Sequence, residues 1–126
     1  MDAGLDRLVR QRAGSRCEYC GLRQADAPVA VFHVEHIVPR KHGGATVEAN
    51  LALACIHCNL HKGPNLTGID PVSGEIARLF DPRREAWTEH FKREGPLIIG
   101  TTPVGRATVR VMAMNEPSHV ALRAEV

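Results

Sequence analysis

The residues predict an α+β fold, and three observations carry that reading. Four cysteines fall into two C-x-x-C pairs, Cys17/Cys20 and Cys55/Cys58, separated by residues 21–54. Between and just after the pairs the chain reads as strand, loop, strand, helix. Apolar residues at helical spacing open the chain, and after residue 67 strand-like segments precede one helix-like segment over residues 104–114. The expected organisation is one domain over residues 1–126: a small cysteine-bracketed core over about residues 13–66, an N-terminal helix before it, and a C-terminal α/β extension over about residues 67–126.

Residues 3–12 place Leu5, Leu8 and Val9 on one helical face, with Asp2 as N-cap and Gly14 as the stop. Gly21–Pro28 reads as loop. Val29–Ile37 (V-A-V-F-H-V-E-H-I) is rich in β-branched and aromatic residues and predicts a strand that Pro39 ends. Arg40–Ala45, with Gly43-Gly44, is turn-rich, and Thr46 with Glu48 suits a short helical turn before Asn50. Leu51–Ala54 predicts a second strand, and Ile56–Lys62 a helix stopped by Gly63-Pro64. Further on, Asp70-Pro71 and Ser73-Gly74 mark turns, and Ile76–Phe80 suits a strand. Trp87–Arg93 and Leu97–Thr101 suit a hairpin across Glu94-Gly95, and residues 104–114 suit a helix.

Hydrophobic residues make up 44% and charged residues 24%, so neither disorder nor a fibrous repeat is indicated. Aromatics are only 4%, which leaves the core to Leu, Ile, Val and Ala. No stretch approaches the roughly 18 apolar residues of a membrane span, and no early apolar run suits a secretory signal. The expectation is a cytoplasmic protein with no membrane partner. Net charge is +2, too small a total to identify a partner. Of the basic clusters, Arg40, Lys41 and His42 lie in the turn-rich loop; the arginines near the start and the Arg83-Arg84 pair read as solvated surface.

Two residues between cysteines let both thiolates meet one atom from a tight knuckle, and two knuckles complete the tetrahedral S4 shell that Zn2+ prefers. Disulfides are the competing reading. A C-x-x-C bridge closes almost no loop, and nothing indicates an oxidising compartment, which favours zinc. Four sulfurs leave no open coordination position, so the expected Zn2+ is structural. Within the enclosed loop, Glu35 offers a hard oxygen suited to Mg2+ or Mn2+, and His36 a base that titrates near neutrality. Adjacent strand residues face opposite ways, so both reach one site only if the strand twists. Asn59, just past the second knuckle, offers another hard oxygen. His33 reads as a partnered strand histidine and His57 as no ligand; His61 is a further phosphate-contact candidate. Trp87 and Phe91 read as core.

Taken together, C-E-Y-C, then E-H-I-V-P-R-K-H-G-G, then N-L-A-L-A-C-I-H-C-N-L-H-K-G resemble the HNH endonucleases and their ββα-metal (His-Me finger) site. The later D-P-V-S-G-E, L-F-D-P-R-R and W-T-E-H-F resemble tails of stand-alone bacterial or phage members. The resemblance implies His36 as general base and Glu35 at a metal-ligand position where the family more often has Asp. It implies Asn50 as the residue that holds the loop bearing the base, and Asn59 at the last signature position. That last substitution makes the chain similar to the HNH domains of RNA-guided nucleases, where this Asn binds Mg2+. Lys62 is the implied phosphate contact, and the basic loop residues Arg40, Lys41 and His42 are further nucleic-acid-contact candidates, with His42 reading equally as plain loop surface. The implied activity is metal-dependent hydrolysis of DNA phosphodiester bonds, with double-stranded DNA as partner and the oligomeric state left open. A non-catalytic zinc-stapled nucleic-acid-binding module is the alternative from a different class.

Overall fold

The computed structural model describes residues 1–124. Helix α1 spans Ala3–Arg12, and the Asp2 carboxylate caps it by accepting from the Leu5 amide at 2.9 Å. Val9 is its buried residue, with Leu5 and Leu8 half-buried beside it. Arginines of its last turn reach across to the core: Arg10 donates to the Phe32 carbonyl and Arg12 to the Leu51 carbonyl.

Strand β1 (His33–His36) pairs antiparallel with β2 (Leu51–Ala54), His33 opposite Ala54 and His36 opposite Leu51. Helix α2 (Ile56–Lys62) follows directly. The strand expected over residues 29–37 is therefore shorter. Its partner ends where Cys55 turns into α2, and the Gln24 side chain takes the backbone of Ala27, Ala30 and Phe32 instead, leaving Val29 and Val31 in solvent. Residues 51–54 are buried on both faces, which explains their continuous apolar run.

Two further antiparallel hairpins lie in the extension. One joins β3 (Thr67–Ile69) to β4 (Ile76–Arg78) through the expected turns; the other joins β5 (Phe91–Glu94) to β6 (Leu97–Gly100). Strand β3 was absent from the sequence reading, and β5 begins later than expected because residues 87–89 form a 3-10 turn. Helix α3 spans Pro103–Val111 rather than 104–114, and Ala113 with φ +46 turns the chain out of it. Helix α4, which the sequence reading missed, spans Pro117–Ala124. Asp70, fully buried in the β3–β4 turn, forms a two-pronged pair with Arg106 of α3 at 2.8 and 2.9 Å.

One buried cluster runs from Val9 through Tyr19, Phe32 and the β2 residues to Phe80, Phe91, Ile98, Met112 and Met114. The extension thus completes the core around the cysteines. Phe80 and Phe91 meet edge to face at 5.2 Å, a pairing worth about 0.5–1.5 kcal/mol beyond area burial. No helix among the described residues is long and apolar enough to cross a membrane.

Candidate metal centre and cleft

The four cysteine sulfurs converge: all are buried and lie within 4.8 Å of one another. Cys20 and Cys55 Sγ are 3.8 Å apart, matching the edge of about 3.8 Å expected of a tetrahedron with Zn–S bonds of about 2.3 Å. None of the four is in a disulfide. Each knuckle turns a backbone amide onto its own first sulfur, Cys20 N to Cys17 at 3.5 Å and Cys58 N to Cys55 at 3.4 Å. The cluster could hold a zinc ion.

The first knuckle also makes contacts beyond the sulfur cluster. Glu18 bonds the β2 backbone at Leu53 through its own amide and carboxylate, at 2.9 and 2.8 Å, and also pairs with Arg83. The Tyr19 hydroxyl donates to Glu35 Oε1, and the Trp87 indole N–H donates to the Tyr19 carbonyl at 2.7 Å. The knuckle is thereby braced against both strands. Sequence reasoning missed Glu18, Tyr19 and Arg83 in this role, although a tyrosine inside C-x-x-C was a visible hint of a buried polar tip.

Beside α2 lies an open cleft of about 440 Å³, lined by His33, Glu35, His36, Arg40, Asn59 and Pro64 among others. His36, half-buried, has Nε2 2.8 Å from Thr46 Oγ1. Partial burial, then the charges of Arg40 and Lys62, lower its pKa, which favours the neutral imidazole. The loop that follows His36 is held by Asn50. Its side-chain oxygen accepts from the Val38 amide at 2.9 Å, and its amide nitrogen donates to the carbonyls of Val38 at 3.0 Å and Ala45 at 2.9 Å. Gly44 is required for that arrangement, since a Cβ there would lie 1.7 Å from the Val38 oxygen. Asn59 is half-buried, and no side-chain hydrogen bond holds it among the described residues.

Glu35 lies at the inner side of this cleft, only 7% exposed. Tyr19 holds one carboxylate oxygen and Lys62 Nζ the other, at 3.0 Å. Burial pushes its pKa up despite the pull of Lys62 and Tyr19. A carboxylate has about four lone-pair sites, so two bonds orient Glu35 and leave acceptor capacity.

Lys62 departs from its expected role as a phosphate contact. It is 2% exposed, and its ammonium is spent on Glu35 and on the carbonyls of His36 and Ile37, all at 3.0 Å. The helix turns it inward because α2 packs on β1, so it braces the strand that carries Glu35 and His36. Arg40 and Lys41 are exposed. His42, also on the surface, contacts the Pro64 carbonyl at 3.1 Å. His57 stays outside the sulfur cluster, with Nε2 2.8 Å from the Ala113 carbonyl. Trp87 and Phe91 stack at 5.0 Å in the core.

Residues 17–65 match the family model described as HNH endonuclease. That segment contains both C-x-x-C pairs, the β1–β2 hairpin, α2, and His36, Asn50, Asn59 and Lys62. Comparison with curated proteins finds no match, and neither does comparison with solved structures.

Proposed function

We propose that this chain is a metal-dependent HNH endonuclease that hydrolyses phosphodiester bonds of double-stranded DNA, its β1–β2–α2 unit serving as a ββα-metal site stapled by a structural zinc. The observation that carries the reading is that His36, Glu35 and Asn59, from two elements flanking the cysteine cluster, line one open cleft.

His36 is the general base. Its lowered pKa keeps it able to take a proton from water at neutral pH, and Thr46 fixes one ring nitrogen. Asn50 holds the 38–45 loop against the end of β1, fixing where that imidazole points. Glu35 and Asn59 would hold Mg2+ or Mn2+, which suits their hard oxygen donors. When bound, such an ion neutralises charge on the scissile phosphate and on the leaving oxygen. Tyr19 and Lys62 orient Glu35 from behind, as outer partners of a ligating carboxylate do. Arg40 and Lys41 sit at the rim, where exposed cations meet the backbone of nucleic acid.

Conversion of supercoiled plasmid to nicked or linear DNA tests the reading. Wild-type protein with Mg2+ or Mn2+ cuts, a chelator stops it, and His36→Ala slows it by about 10²–10⁴-fold with its fold intact. Asn59→Ala raises the Mn2+ concentration needed for half-maximal cutting. If wild type and His36→Ala cut equally poorly while both shift DNA in a gel, a zinc-stapled binding module replaces the enzyme.

A further inference from the structure

A Zn2+ ion held by four thiolates carries a net charge of −2, and all four cysteines here are at most 2% exposed. A buried dianion needs donors and positive charge around it. The knuckle amides at Cys20 and Cys58 supply two N–H groups, both to the first sulfur of a pair.

The remaining donors come from the far end of the chain. His119 of α4 is 3% exposed, and its Nε2 lies 3.2 Å from Cys20 Sγ and 3.9 Å from Cys55 Sγ. Its ring stacks on His57 at 4.2 Å with an interplanar angle of 13°, and the Ala113 carbonyl anchors His57 in turn. Four residues on, and so on the same face of α4, Arg123 is also 3% exposed. Its Nε donates to the Pro96 carbonyl at 2.8 Å and its Nη2 to Asn115 Oδ1 at 3.1 Å, while Nη1 is buried with no hydrogen-bond partner among the described residues. Burial lowers the pKa of this guanidinium and Arg93 adds to the lowering, while Cys20, then Cys58 and Cys55, oppose it.

We infer that α4 is the outer wall of the zinc centre: His119 donates its Nε2–H to the Cys20 thiolate, with Cys55 next nearest, and Arg123 supplies the positive charge that offsets the zinc–thiolate dianion. The inference rests on the zinc reading above, and it makes metal retention depend on the docking of α4. The metal stays four-coordinate by sulfur; His119 binds the sulfurs and not the ion.

The test uses full-length protein. Metal analysis comes first: one tightly held zinc per chain supports the zinc reading, and none overturns both. Zinc release to a chromogenic chelator is then timed, and the sulfur-to-metal charge-transfer band is recorded with Co2+ in the site. His119→Ala should speed release by about 10–100-fold, the usual cost of losing an outer-shell partner, and move the band to lower energy as the sulfur becomes a stronger electron donor. His119→Gln, which restores an N–H near the Nε2 position, should return both readouts most of the way. Arg123→Met should speed release while keeping the apolar stem. Equal loss in His119→Ala and His119→Gln with unmoved bands would reduce α4 to packing and overturn the donor role. Unchanged release in Arg123→Met would overturn the charge role.

Discussion

Replacing Lys62 with methionine keeps the helical stem and removes only the ammonium, so the change separates a brace from a phosphate contact. The structure sets the size of the effect. Lys62 and Glu35 are 2% and 7% exposed, their charged atoms are 3.0 Å apart, and two carbonyls share the ammonium. Methionine fills the same channel, so the cavity cost is small. What remains is a buried carboxylate without its cation, which costs about 3–5 kcal/mol when one partner of such a pair is removed. Protonation of Glu35, whose pKa burial already raises, limits the loss and keeps it in that range. Urea unfolding of zinc-loaded protein, followed through the single tryptophan, Trp87, measures it. In a Glu35→Gln background the same substitution should cost less by about 1–3 kcal/mol, the coupling expected of residues in contact. A loss below about 1 kcal/mol, accompanied by weaker DNA binding, would refute the brace and return Lys62 to the phosphate-contact role.

Two other outcomes are expected. Gly44→Ala sets a Cβ against the Val38 carbonyl, 1.7 Å from its oxygen and 2.9 Å from Asn50 Nδ2. The loop must open, costing about 1–3 kcal/mol as overpacking does, and plasmid cutting should fall further than stability; an unchanged melting temperature would contradict the close approach. In the extension, Arg78 holds the Glu85 carboxyl at a pKa of about 2, with His90 adding to the effect. A depressed folded-state pKa stabilises above the unfolded value of about 4.3 and loses that stabilisation as pH falls through about 2. Wild type should therefore exceed Glu85→Gln at pH 6 by on the order of 1–2 kcal/mol, discounted because Arg78 is half exposed, and the two should converge near pH 2. A constant gap across that range, read from unfolding midpoints, would refute the linkage.

Local signals in the chain were strong wherever a residue's neighbours in sequence decide its state. The Asp2 cap, the run Leu51–Ala54, and the Ile56–Lys62 helix with its Gly63 stop could all be read directly. Strand β3 was missed because its centre is Gly68 and its two flanking residues are exposed, so it lacks the apolar run that marked its equally short partner within Ile76–Phe80. Helix α4 was missed for a more informative reason. Its buried positions are His119 and Arg123, so its inward face is polar and the apolar pattern that marks a helix against a core is absent.

Spacing and residue type marked the two-knuckle cysteine set and made Glu35, His36 and Asn59 candidates, because metal geometry restricts which residue types serve at which intervals; Asn50 entered only through the resemblance of the linked motifs. Only the tertiary structure decided where charges go. It turned Lys62 inward onto Glu35, set Tyr19 behind that carboxylate, and brought His119 from 99 positions away in the chain to Cys20. A buried charge is stable only beside its counter-charge, and that pairing is settled by packing between segments that carry no mark of each other in sequence.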